Sequence, residues 1–266
     1  LLIILPIISL SQKKDTISIS TILKEVNISG VNAGDKTPMS YTNVSKEEID
    51  KNNLGKDIPY IISLTPSIVS SSDAGAGIGY TYMTIRGSDA SRINITINGI
   101  PVNDSESQGV WWVNMPDLAS STQNIQIQRG VGTSTNGGSA FGASVNLQTN
   151  GLQENRYFTT SNSLGSYNSL KNNIEFGTGL LNDKWSLDAR LSKISSDGYI
   201  DRASSDLTSG YLSLGYYGKS ESLNAIIFGG HERTYQSWYG VPKTYIDSHP
   251  TFNPYNYENE VDNYNQ

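Results

Sequence analysis

The sequence predicts two kinds of structure in series: an α+β domain over residues 41–150, then antiparallel β-strands from 151 onward. Three observations predict this. Residues 45–64 hold two helix signals, and short strand-like runs follow them as far as 129. From 151 to 236 charges thin out and apolar residues recur at every second position. The connections between those later strands alternate between short and longer.

Composition narrows the function classes. The formal net charge is -6, with no block of like charge, whereas nucleic-acid binding needs a basic stripe. Only 17% of residues are charged and 36% apolar, against 16 Tyr and 25 Gly. That mix suits extended chain with many turns and one wet sheet face. With no cysteine, a disulfide scaffold, a thiolate metal site and a lipid-anchored cysteine are excluded. The two histidines, His231 and His249, do not suggest a metal centre, and no cofactor is expected. No nucleophile elbow, zinc-ligand cluster or paired-carboxylate site stands out, so an enzyme is not expected. Gly-Ala-Gly-Ile-Gly at 75–79 lacks the spacing and βαβ setting of a dinucleotide fingerprint.

The run Leu1 to Leu10 is apolar but shorter than the ~20 residues a membrane helix needs. It has the length of a signal-peptide core, with Ser9 and Ser11 at the cleavage positions and Gln12 as the new N-terminus. Residues 1–11 are therefore expected to be a signal-peptide remnant, truncated at its start; a buried strand is the other reading. Residues 12–40 form a polar arm. Within it Asp15–Ser20 and Lys24–Gly30 alternate apolar and polar, so each suits addition as an edge strand to another protein's sheet.

Ser45, with Glu48 three residues on, predicts a capped helix start. A second helix is predicted from Gly55 to Leu64, ending before Pro66. Strands are predicted at Tyr82–Arg86, Arg92–Ile97 and Asn124–Arg129. Asn98-Gly99 predicts a hairpin between Ile97 and Ile100.

Five strands are predicted beyond 150: about 153–164, 168–179, 183–196, 206–218 and 221–235. Trp185, Leu187, Ala189 and Leu191 share one face, with Ser186, Asp188, Arg190 and Ser192 on the other. Leu170, Ile174 and Phe176 oppose Lys171, Asn173 and Glu175. Leu223, Ala225 and Ile227 alternate less cleanly, because Ile226 and Phe228 fall opposite. A membrane barrel and a soluble sheet with one wet face both give this pattern.

Four motifs between 84 and 147 carry a family resemblance. They are Thr84-Ile85-Arg86-Gly87, then Ile97-Asn98-Gly99-Ile100-Pro101-Val102-Asn103-Asp104, then Ile125-Gln126-Ile127-Gln128-Arg129-Gly130, and Gly138 to Leu147. In this order they resemble the plug of TonB-dependent outer-membrane receptors, although Asn98 and Val131 replace a commoner Asp and Pro. Asp197–Ser204, His231–Tyr235, Gly240–Pro242 and Glu260–Tyr264 resemble the early barrel of Bacteroidetes-type members, less specifically.

The resemblance implies an α+β plug domain followed by an incomplete antiparallel transmembrane β-barrel, about five strands of an expected 22 or so. At ~10 residues per strand the stretch after 150 is too short to close such a barrel, so this fragment is not expected to transport alone. It implies the cell outer membrane, with the arm in the periplasm. It implies uptake of a scarce nutrient, a ferric siderophore or other metal chelate being favoured because little chain precedes the box. The implied partners are TonB with its inner-membrane energising complex, outer-membrane lipid and the small ligand. The TonB box falls on Lys24, Glu25, Val26, Asn27, Ile28 and Ser29, with 15–20 the other candidate. Arg86 and Arg129 are the expected plug-locking arginines, pairing with acidic groups on the wall. Tyr80, Tyr82, Trp111, Trp112, Trp238 and Tyr239 are the expected ligand contacts, although Trp111 and Trp112 equally suit the plug's own core. The alternative function is a soluble secreted β-sheet binding or adhesion module.

Overall fold

The computed structural model describes residues 32–34, 36–131, 141–218, 220–235, 237–255 and 263–265. The signal-like run, both box candidates and the start of the fourth motif lie outside the described residues.

The first unit opens with strand β1 (Ser40–Ser45) running into helix α1 (Lys46–Asn52). The predicted cap forms in full. Ser45 N donates to Glu48 Oε2 at 2.8 Å, and Ser45 Oγ accepts from Glu48 N at 3.4 Å. The second helix is shorter than predicted: α2 covers only Ile58–Ile61. Gly55 sits at φ +100, outside helical space, so no helix can start there. Asp57 is the N-cap residue, but its carboxylate accepts from Thr81 Oγ1 instead of capping.

Strands β2 (Ile68–Ser72) and β3 (Thr81–Ile85) form a separate pair. The main sheet adds β4 (Ile93–Ile97), β5 (Ile100–Pro101), β6 (Thr122–Arg129) and β7 (Ala143–Thr149), in the order β1-β6-β7-β4-β5. The β4–β7 pairing is parallel; the others are antiparallel. Asn98 and Gly99 take φ +50 and +81, the twin positive angles of the predicted hairpin, and Ile97 pairs Ile100.

The alternation Ile125-Gln126-Ile127-Gln128 has a direct structural meaning. Ile125 and Ile127 join Ile49, Ile62, Ile85, Ile93 and Val145 in the apolar core under the helices. Gln126 and Gln128 point the other way and are also buried, the Gln128 amide donating to Gln126 Oε1 at 2.8 Å. On the same face Thr96 Oγ1 donates to Asn146 Oδ1 at 2.8 Å. Both sheet faces are covered, one by apolar packing and one by a hydrogen-bonded polar network in which Asn94 Nδ2 and Ser144 Oγ find no partner among the described residues.

The second unit is a meander of β8 (Tyr157–Gly165), β9 (Ser169–Gly177), β10 (Trp185–Ser196), β11 (Ser205–Tyr217) and β12 (Ser222–Tyr235). Every neighbouring pair is antiparallel. All five predicted strands are present. A sixth, β13 (Asn263–Asn265), pairs with β12 inside the stretch read as loop; three polar residues are too few to signal a strand. The sheet is open, ending on β8 and β13.

Candidate functional site at the seam between the two sheets

The second sheet is inverted relative to a soluble one. Its covered face, turned to the first unit, is polar: Lys171, Asn173, Ser186, Asp188, Arg190, Ser192, Ser209 and Ser213 are all buried. Its bare face is apolar: Leu191, Leu212, Leu214, Leu223 and Ile227 lie exposed. A soluble sheet buries its apolar face. This arrangement fits strands whose outer face meets lipid and whose inner face meets a polar stopper. Trp185 and Tyr216 pack at 4.7 Å between ring centroids at the end of the apolar band, where interfacial aromatics belong. The three rows of alternation read from the sequence fall on the correct faces. Ile226 and Phe228, which broke the pattern on β12, face inward and line a cavity of about 520 Å³ with Asn98, Asn146 and Tyr217.

One carboxylate ties the units together. Asp117 lies in the first unit at φ +53, a left-handed angle that aspartate tolerates better than most residues. Its side chain is fully buried. Oδ1 accepts from Lys171 Nζ on β9 at 2.7 Å and from Ser120 Oγ at 2.7 Å. Oδ2 accepts from Asn173 Nδ2 at 2.8 Å and lies 3.2 Å from Arg190 Nη1 on β10. Arg190 also donates to Ser121 Oγ at 2.8 Å and to Ser209 Oγ at 3.1 Å, reaching β11. Burial by itself would raise the Asp117 carboxyl; Lys171 and Arg190 together outweigh it and hold it down at about 2. A buried pair survives only when its remaining polar atoms are also satisfied, and here both cations find hydroxyl or carbonyl partners.

The seam continues at one end of the sheet, beside the longer connections. Tyr199 N donates to Ala74 O at 2.7 Å, joining the 197–204 connection to the glycine-rich loop of the first unit. Gly79, at φ +90, brings its backbone so close to β11 that an added Cβ would stand 2.7 Å from Ser205 Oγ. Around this junction the aromatic rings gather. Tyr80 meets Trp111 at 6.3 Å and Trp238 at 6.0 Å, edge to face; Tyr82 meets Trp111 at 6.5 Å. Tyr255 stacks on Tyr239 at 5.0 Å and meets Trp238 at 6.3 Å. The cluster therefore joins the first unit to the 236–255 connection.

Residues 33–144 match the sequence model of the TonB-dependent Receptor Plug Domain. This segment is a TonB-dependent receptor plug. Three solved structures share the fold of plug and following strands. The ferripyoverdine receptor of the Pseudomonas aeruginosa outer membrane gives a TM-score of 0.60 at 15% identity, over 82% of this chain and 29% of that one. The ferric yersiniabactin uptake receptor FyuA from Yersinia pestis gives 0.58 at 14%, over 74% and 32%. The copper transporter OprC gives 0.62 at 14%, over 73% and 31%. The chain thus spans less than a third of each of these. No curated protein matches it. The plug places the chain in the outer membrane, and β8–β13 are the opening part of a barrel wall, with plug residue Asp117 clamped to β9 and β10.

The structure brings five of the six sequence-predicted ligand residues, Tyr80, Tyr82, Trp111, Trp238 and Tyr239, into one cluster. Trp112 goes elsewhere: it is 4% exposed and packs in the plug core, because its neighbour Trp111 takes the outward side of the turn. Tyr255 joins the cluster without having been singled out. Arg86 and Arg129 lie side by side on the plug. Arg129 donates to Pro66 O at 3.1 Å, Ser40 Oγ at 3.3 Å and Thr42 Oγ1 at 2.6 Å, all plug atoms. Among the described residues neither arginine forms an ion pair. Sequence reasoning missed Asp117. The signal was on the wall: Lys171 and Arg190 are cations on the inward faces of β9 and β10, and a cation buried there calls for an anion, although Glu175 and Asp188 on the same faces offered nearer candidates in the sequence.

A second carboxyl sits near the clamp. Asp57 is buried, and burial pushes its carboxyl up to about 8 despite the hydrogen bond from Thr81; the charges of Glu232 and Asp117 add to the rise. Glu232, on the inner face of β12, is 2% exposed, and neither of its oxygens has a hydrogen-bond partner among the described residues.

Proposed function

We propose that this chain is the gating portion of an outer-membrane importer for a small metal chelate, a ferric siderophore in the first instance, driven by TonB. The observation that carries this reading is the Asp117 clamp, a plug held to a polar wall by one replaceable set of charge-assisted bonds. Such a seam is strong while dry and weakens once water competes for its partners. Lys24 to Ser29 serve as the TonB box, adding as a strand to TonB so that backbone hydrogen bonds bear the load. Arg86 and Arg129 form a second lock with acidic groups of the wall, for two adjacent cations surrounded by neutral oxygens favour an anionic partner. The ligand rests on Tyr80, Tyr82, Trp111, Trp238 and Tyr239, whose flat faces suit an amphipathic chelate. Similarity to receptors for ferripyoverdine and ferric yersiniabactin supports the chelate class.

The test is uptake of labelled ferric siderophores by iron-starved cells expressing the full-length gene product. Deleting 24–29 should abolish uptake and leave binding to whole cells intact. Loss of uptake on deleting 15–20 alone would move the box to that segment. No binding of any ferric chelate would overturn the substrate class.

A further inference from the structure

Ala33, in the arm just ahead of β1, is buried against the polar face of the plug sheet, and Gln126 on β6 holds it there. Gln126 Oε1 accepts from Ala33 N at 2.6 Å, and Gln126 Nε2 donates to Ala33 O at 2.9 Å. A side-chain amide thus meets a backbone residue as a neighbouring strand would, through both its donor and its acceptor. The other positions are filled too. Oε1 accepts from Gln128 Nε2 at 2.8 Å, and Nε2 donates to Asn43 Oδ1 at 2.8 Å. Every donor and acceptor of this buried carboxamide is used, which fixes its orientation. Its strand is flanked by β1 and β7, and Ile125 and Ile127 root it in the core.

Because Nε2 touches both Ala33 and Asn43, the chain leaves Gln126 at residue 33 and returns to it on β1. Turn bonds keep the intervening loop compact: Thr37 N donates to Gly34 O and Met39 N to Thr37 O, both at 2.8 Å. Ser40 lies about 10 Å along β1 from Asn43. The stretch from Ala33 to Ser40 can extend to roughly 24 Å. It holds slack on the order of 10 Å, which a pull on the arm reaches only when the Gln126 contact opens.

The direction of such a pull is also set. Asn32 lines the cavity of about 520 Å³ with Gln123, Tyr217 and Ser222, at the short-turn end of the wall. That end faces the periplasm in such barrels. β1 runs antiparallel to β6, with Ser45 beside Asn124 near this end and Ser40 beside Arg129 at the other. A pull toward the periplasm therefore doubles the chain back over β1 and loads its pairs one at a time, from Ser40 onward. Two bonds of the Arg129 guanidinium, to Ser40 Oγ and Thr42 Oγ1, end on this strand.

We propose that Gln126 is the latch of the arm, a positioning residue that holds the arm's root on the plug and opens first when the arm is pulled. The fold then orders the release: the Gln126 bonds, the slack before Ser40, the Ser40 end of β1, and with it the hold of β1 on Arg129. While the latch is closed a pull acts on β6, inside the sheet. Once it is open, the edge strand takes the load. The latch serves transport only if the arm is pulled from the periplasm, as in the function proposed above, and either box candidate loads it because both lie upstream of Ala33.

The full-length receptor in membrane vesicles is pulled singly by a tag fused ahead of residue 15, and amide hydrogen exchange of the peptide containing 32–34 is measured without force. The parent should show a first low-force extension on the order of 10 Å before the sheet opens. Gln126→Leu should erase that step and speed exchange roughly 10-fold, the effect of losing two modest hydrogen bonds. Ala33→Pro removes a donor from the arm side, leaves β6 untouched and should act in the same direction. Thr96→Val breaks the buried bond to Asn146 on the same face and should change neither readout. Thr42→Val should lower the force of the second step alone. A first step that survives both Gln126→Leu and Ala33→Pro, or that Thr96→Val erases equally, overturns the latch. A second step indifferent to Thr42→Val overturns the link to Arg129. Uptake that persists after deletion of 15–30, with the parent's steps as described, supports the latch and overturns the periplasmic pull.

Discussion

Asp117 and Arg190 meet at 3.2 Å from opposite sides of the plug–wall seam, both buried. Their polarity is the reverse of that expected for Arg86 and Arg129: the acid is on the plug and the cations are on the wall. Removing one member of such a set strands the others as uncompensated buried charge.

Asp117→Asn should therefore loosen the plug by about 3–5 kcal/mol, the usual cost of breaking a buried pair from one side. Urea titration of the full-length receptor, followed by protease access to the plug, measures this. Replacing the set with neutral groups of similar shape, Asp117→Asn with Lys171→Met and Arg190→Met, should recover most of the loss. A single variant as stable as the parent would show that the clamp does not hold the plug.

The pH dependence follows from two carboxyls shifted in opposite directions. Asp117 is depressed, so its contribution is present above its unfolded value of about 3.8 and is lost as pH falls through about 2. Asp57 is raised, so the folded state takes up a proton between about 3.8 and 8; its contribution is complete below 3.8 and lost as pH rises through 8. Between pH 5 and 8, plug stability should decline with rising pH and level off above that. Asp57→Asn, which keeps an acceptor for Thr81, should flatten that decline. An unchanged slope in the variant, from denaturant midpoints across the range, would place the titrating group elsewhere.

The adjacent tryptophans should separate by phenotype. Trp111→Ala, at a ring that is 44% exposed in the aromatic cluster, should weaken chelate binding at least several-fold with little change in stability. Trp112→Ala opens the plug core and should cost about 3–5 kcal/mol of stability. Binding isotherms and thermal melts on both variants check the assignment, and interchanged results would reverse it.

Gly79→Ala should shift the plug loop from the wall. Its Cβ would clash with Ser205, and φ +90 is strained for any side chain. Because Tyr80 follows directly and touches both Trp111 and Trp238, tryptophan fluorescence of the receptor should change. Ser205→Gly alongside should relieve the clash and leave only the backbone strain.

Local pattern determined much of this protein. The Ser45 cap, the Asn98-Gly99 hairpin and the alternating faces of β9 and β10 were legible because each depends on residues within a few positions of one another. The four plug motifs added the family. The clamp was not legible, since Asp117 and Arg190 are far apart in the chain and a lone Asp in a turn carries no local mark. Trp111 and Trp112 make the same point: neighbours of one type were divided between cluster and core by how the turn sits on the plug. The short α2 was also decided at a distance, by Gly55 closing against Lys171 and by Asp57 spending its carboxylate on Thr81. Periodicity fixes which face a side chain takes; what that face then meets depends on contacts between elements that no local interaction encodes.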